Sequence, residues 1–145
     1  MPLRQGDTLP LWIGSVQKQI AGRPIRMLAY KGSIPGPLLR VAQGSDITVE
    51  VTNNAGFEQT VHWHGLRPDN RSNGVPSQRQ QPIPVLGVFT YRLQFPDPGL
   101  YWYQPHIRED DGRQLGLYGQ IIVDPADPGY RPPVDRETPL TLDDF

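Results

Sequence analysis

The chain has 145 residues, enough for one domain with a hydrophobic core. Fourteen basic residues against fifteen acidic ones leave a formal net charge of −1, so no strong field invites nucleic acid or an anionic membrane. The absence of Cys excludes disulfides, thiolate nucleophiles and any metal site that needs cysteine sulfur. No apolar run approaches the ~18 residues of a membrane-spanning helix. The opening stretch Met1–Asp7 lacks the apolar region of a secretory signal. It fits either a cytoplasmic protein or a processed one with an added initiator Met.

Seventeen Pro and fifteen Gly, spread along the chain, predict many turns and no long helices. In chain order, strands are predicted at Leu9–Ile20, Arg23–Tyr30 and Leu38–Val41. Next come Ile47, Val49 and Val51, which alternate with Thr48, Glu50 and Thr52 as in a half-buried strand. Gln59–His64 follows. Phe89, Tyr91, Leu93 and Phe95 then alternate with Thr90, Arg92 and Gln94 in the same manner. Leu100–Tyr103 and Leu115–Asp124 complete the set. Turn clusters separate these runs, among them Ala21-Gly22, Gly32–Pro37, Asn53–Gly56 and Pro96–Gly99. Short strands at this spacing predict an all-β sandwich or barrel, with Greek-key connections expected.

After Pro125 the composition changes. Residues 126–145 read as a Pro-rich linker and the start of a following strand at Thr138–Leu142, with residues 1–125 as the domain. A strand that begins and stops at once predicts a longer protein. The alternative is an edge strand folding back on this domain.

The chain's three histidines are His62, His64 and His106. His62 and His64 sit at i and i+2 of a strand, so they share a face, ~6.6 Å apart at ~3.3 Å rise per residue, with Trp63 on the other face. That spacing serves one metal or two neighbouring ones. Gly65 leaves room for a backbone or ligand beside His64. On the second strand Trp102, Gln104 and His106 share a face, and Pro105 marks a strand end or edge. Neutral imidazoles suit Cu, Zn, Fe and Ni without sulfur. A chance His-x-His is more often structural. All three His falling in two matching strand motifs favours metal. Arg108–Arg113 reads as a solvated charged turn, and Met27 as core.

These residues resemble the first cupredoxin domain of multicopper oxidases of the laccase type. The resemblance rests on Thr60–Leu66 (TVHWHGL), Asn73–Pro76 (NGVP) and Pro82–Pro84 (PIP). It continues in Gly99–His106 (GLYWYQPH), Leu115–Gly119 (LGLYG), Ile121–Pro125 and the early turn Tyr30–Pro37 (YKGSIPGP). It covers nearly the whole chain in order. It implies a cupredoxin-like Greek-key β-sandwich, copper as cofactor and an extracytoplasmic or secreted location. It also implies that His62 binds a type 2 copper while His64 and His106 bind a type 3 pair. This half-cluster is shared with other cupredoxin domains of the same protein or of another subunit. O2 and a reducing substrate are used only by the complete enzyme.

Two positions depart from the family pattern. Gln104 stands where a fourth His ligand is usual, and an amide oxygen is a poor replacement for imidazole on copper. Asn73 stands where an acid associated with proton delivery is usual, and Asn carries no proton. Without Cys the chain holds no type 1 copper. The 145 residues alone are therefore expected to be inactive as an oxidase. The competing expectation is a non-catalytic copper-binding or structural module that has lost a complete cluster.

Overall fold

A computed structural model describes residues 1–66, 81–107 and 115–142. Among them the regular elements are strands: β1 (Pro2–Leu3), β2 (Thr8–Ile20), β3 (Arg23–Tyr30), β4 (Leu39–Ala42), β5 (Asp46–Asn53), β6 (His62–His64), β7 (Val88–Gln94), β8 (Gly99–Gln104) and β9 (Gly119–Asp124). They form two sheets, one ordered β1-β4-β9-β8-β6 and the other β3-β2-β5-β7. Both sheets are mixed: β2–β5 and β4–β9 run parallel, while β5–β7 and β8–β9 run antiparallel. The all-β sandwich expected from the alternation is what forms.

The alternation explains the packing. Leu9, Leu11 and Ile13 of β2, Ile47, Val49 and Val51 of β5, and Tyr91 and Leu93 of β7 line one wall of the core. Leu39, Val41, Trp63, Tyr103, Ile121 and Val123 line the other. Burying side chains of this size contributes roughly 1.5–3 kcal/mol each and offsets the entropy of ordering the chain. Beyond Gly14 the alternation in β2 gives way to exposed and half-buried positions, and with β3 it continues as a ribbon. Ala21-Gly22 closes that ribbon with φ of 48° and 77°, the two left-handed residues of a primed hairpin turn.

Three predicted elements are corrected. Gln59–His64 is not one strand: Gln59 pairs with Ile83 by two backbone bonds, and β6 begins only at His62. Leu115–Asp124 starts as a strand only at Gly119. Gly116 (φ 106°) lies so close to Ile34 and the Leu28 carbonyl that no side chain fits, and this turn breaks the run. Thr138–Leu142 is not a strand. Pro139 has no N–H to give, and the Leu140 carbonyl is taken by the Gln120 side chain rather than by a backbone ladder. Gln120 Nε2 also donates to Thr141 Oγ1. Arg40 holds Asp124 with two bonds of 2.7 and 2.6 Å and reaches Glu137 at 3.0 Å, and Arg131 also reaches Glu137. These groups are largely exposed, so each pair contributes less than about 1 kcal/mol.

The feature that fixes the site is the wedge around Tyr103. Its ring lies over Gly119, its partner across β8 and β9, and its hydroxyl donates to the Pro37 carbonyl at 2.8 Å. A Cβ on Gly119 would overlap the ring, and one on Gly36 would come within 2.7 Å of the hydroxyl. Burial pushes the Tyr103 hydroxyl pKa well above its ordinary value, so it stays a donor. Gly119→Ala is therefore expected to lower unfolding free energy by at least about 2 kcal/mol, read by denaturant titration. Gly56→Ala, where the added carbon meets nothing within 4 Å, is expected to stay within about 0.5 kcal/mol of the parent.

Candidate metal centre

β6 is the edge of the five-stranded sheet and pairs with β8 antiparallel, in the register His62↔Gln104, Trp63↔Tyr103 and His64↔Trp102. Period-2 geometry turns Trp63 and Tyr103 into the core, both fully buried. The same geometry sends His62, His64, Trp102 and Gln104 to the outer face. Trp63 packs against Tyr91 and Tyr103, each with a ring centroid 5.5 Å away, and this anchors the strand that presents the two histidines.

The three imidazoles come together as the motifs predict. His62 lies in the middle, with ring centroids 5.5 Å from His64 and 5.1 Å from His106, at interplanar angles of 83° and 87°. His64 is exposed and sits edge-on to Trp102 at 5.2 Å, while His62 and His106 are half-buried. His106 lies past the end of β8, beyond the buried Pro105, and its backbone N–H donates to Thr60 Oγ1 at 3.1 Å. The rings form a fan around His62. Among the described residues no three His, Asp or Glu side chains converge on a single point.

Gln104 is 6% exposed although it lies on the outward face, and its Oε1 has no hydrogen-bond partner among the described residues. A neutral carbonyl oxygen with lone pairs, set opposite His62, is a donor to cations rather than to anions. The imidazole nitrogens on this face suit copper and its neighbours, and the amide oxygen of Gln104 is the weaker donor there.

Asn73 and the charged turn at Arg108–Arg113 lie outside the described residues. Met27 is buried core, as expected. Gly65 does not serve as space for a ligand. Its φ is 85°, and the Tyr101 ring sits 3.0 Å from where a Cβ would stand, so the residue is there to turn the chain. Sequence reasoning missed Thr60 as the anchor of His106, although Thr60 opens the same motif as His62. It also missed the Gly36–Tyr103–Gly119 wedge, whose parts are far apart in the chain.

The geometry can be set beside known proteins. A family sequence model described as multicopper oxidase matches residues 13–128. The chain is 39% identical over 127 residues to multicopper oxidase MmcO of Mycobacterium tuberculosis, covering 87% of this chain and 24% of that protein. It is 32% identical over 144 residues to copper resistance protein A of Escherichia coli, covering 97% of this chain and 23% of that one. Among solved structures it is similar to multicopper oxidase mgLAC, with a TM-score of 0.81 and 34% identity over 86% of this chain and 40% of the other. The blue copper oxidase of Nitrosomonas europaea gives a TM-score of 0.80 and 32% identity, with coverage of 86% and 40%. The chain spans about a quarter of the length of these curated relatives. Sandwich, motifs and relatives agree: the chain belongs to the multicopper oxidase family, and its fold is that family's cupredoxin-like β-sandwich.

Proposed function

We propose that this chain is a copper-binding domain of a laccase-like multicopper oxidase, contributing one half of a trinuclear copper cluster. The observation that carries the reading is the fan of His62, His64 and His106 on the outer face of an edge strand. Its fit to copper rests on the three imidazoles. His62 would hold the type 2 ion, and His64 and His106 the type 3 pair. Copper bound in the complete cluster supplies the reduction of O2 to water.

This chain's own residues have narrower roles. Trp63 and Tyr103 hold the register that aims His62 and His64 outward. Thr60 fixes the backbone of His106. The outward direction of the imidazoles supports completion of the site by other cupredoxin domains, of the same protein or of another subunit. With no Cys among the 145 residues, a type 1 copper would also come from elsewhere. In this reading residues 1–125 are the domain and 126–145 connect it onward. The reducing substrate and O2 belong to the whole enzyme.

A second reading, a non-catalytic copper-binding module, is favoured by Gln104, which leaves the half-site one imidazole short. Asn73, in place of the family's acid, points the same way.

Copper titration of the chain is expected to give a type 2-like electron paramagnetic resonance signal without an intense blue absorption. The double change His62→Ala, His106→Ala is expected to weaken Cu(II) binding at least about tenfold in chelator competition. A strong blue band from the pure chain, or binding indifferent to both histidines, overturns the proposal. In the intact protein, Gln104→His with Asn73→Asp is expected to raise the copper stoichiometry. An unchanged stoichiometry supports the non-catalytic reading.

A further inference from the structure

We propose that β7 is a dimerisation edge. Two copies of this chain pair their β7 strands antiparallel about a two-fold axis at Tyr91, and their two sheets become one. The proposal does not depend on the copper reading.

The edge itself comes first. β7 ends the sheet β3-β2-β5-β7, and its far side pairs with no strand among the described residues. At the two ends of its pairing with β5, Asn53 N–H donates to the Gly87 carbonyl and Phe95 N–H to the Ser45 carbonyl. Antiparallel ladders alternate, so the odd-numbered residues of β7 bond to β5. The N–H and C=O groups of Val88, Thr90, Arg92 and Gln94 then face the open edge, and these four side chains are exposed. Free edges are ordinarily blunted by Pro, Lys or a bulge. β7 has none of these, and Arg92 is its only charge.

The strand's own symmetry names the occupant. Pairing Thr90 with the second copy's Arg92 also sets Val88 opposite Gln94, so every outward-facing backbone group meets a hydrogen-bonding partner. Phe89 is half-buried, with its ring 4.7 Å from Tyr91, and it gains the second copy's Leu93 as its cross-strand neighbour. On the outer face each row across the junction runs Thr48, Arg92, then the second copy's Thr90 and Glu50. Neither Arg92 nor Glu50 has an ionic partner among the described residues. The pairing sets them one threonine apart, and no charge stands directly opposite its like.

The two ends of the strand also complement each other. The turn before β7 is closed by Gly87 N–H on the Pro84 carbonyl at 2.8 Å. It holds Leu86 at φ 62°, a left-handed conformation that non-glycine residues rarely adopt. The buried Asn53 fixes this turn: its carbonyl accepts from Leu86 N–H at 2.7 Å, and its Nδ2 donates to the Ile83 carbonyl at 2.9 Å. The turn presents Val85, Leu86 and Val88 to solvent, Leu86 at 76% exposure. Toward the other end of β7, the outer face carries a groove of about 800 Å³ lined by Asp46, Thr48, Arg92 and Gln94. The two-fold axis carries each turn toward the other copy's groove, with Val88 beside Gln94 at the rim. A strained apolar turn and an open groove at opposite ends of one strand meet when a second copy runs antiparallel.

Seven residues of edge make a small interface, so self-association is expected in the range of ~10–100 μM. Sedimentation equilibrium of this chain in EDTA, over roughly 1–500 μM, reads it without metal bridges between histidines. The parent is expected to pass from monomer to dimer. Thr90→Pro removes an outward N–H and no bond to β5, and is expected to leave the chain monomeric throughout. If Thr90→Pro does not fold, Thr90→Lys carries the test: it sets a cation beside the second copy's Arg92 and is expected to weaken the dimer at least about tenfold. Leu86→Asn suits the left-handed turn and removes the apolar tip. It is expected to weaken the dimer at least about fivefold, with a melting temperature equal to the parent's or higher. Register is read by disulfide trapping, since the chain has no Cys. Val88→Cys with Gln94→Cys is expected to give a covalent dimer on oxidation, and Gln94→Cys alone is not. Within one chain these two positions stand ~20 Å apart, too far to bridge. A parent that stays monomeric at every concentration overturns the proposal. So does a dimer that the folded Thr90 and Leu86 variants leave intact, or one trapped equally by Gln94→Cys alone.

Discussion

The pairing of β6 with β8 is the constraint on which the site depends. It spans only three residue pairs, His62↔Gln104, Trp63↔Tyr103 and His64↔Trp102. A slip of one residue would turn both histidines into the core and Trp63 into solvent. So short a ladder does not hold its own register. The buried middle pair holds it: Trp63 packs edge-on to Tyr91 and tilted against Tyr103, and Tyr103 is wedged over Gly119 beneath the Pro37 carbonyl. Hydrophobic packing on one face of the strand thus sets which side chains, His62 and His64 among them, stand on the other.

That arrangement explains why the imidazoles are placed as they are. They lie on an edge strand whose other side has no partner among the described residues, and they point away from the core. A closed mononuclear site would draw its ligands to one point. Here they fan out, with His62 shared between two neighbours 5.5 and 5.1 Å away. The chain spans about a quarter of the length of its curated relatives. The segment after Asp124 is pinned to the same five-stranded sheet through Arg40–Glu137 and Gln120–Leu140.

Gln104, the cross-strand partner of His62, is a polar side chain that is almost wholly buried. An apolar residue there would bury equally well and leave no orphaned oxygen. Gln104 instead leaves its Oε1 without a hydrogen-bond partner among the described residues, as Gln59 does elsewhere in the core. Thr60 is a buried hydroxyl that ties down His106 rather than serving the core.

Much of this was legible in the residues. Strand runs were predicted at eight of the nine strands among the described residues, those at 47–52 and 89–95 from their alternation, and β3 was predicted with the bounds it has. The short β1 escaped because two residues carry no period. The boundaries that failed did so for tertiary reasons: Gln59 leaves its strand to pair with Ile83, and Gly116 is a close approach between distant segments. The two motifs identified the three histidines, and Pro105 correctly marked the end of β8. What the sequence determined by itself was periodicity and donor type, because both are written in local order. The convergence of His106 on His62, the burial of Gln104 and the Tyr103 wedge were decided only by tertiary structure. Each depends on segments tens of residues apart meeting in a particular register, and no local pattern encodes that meeting.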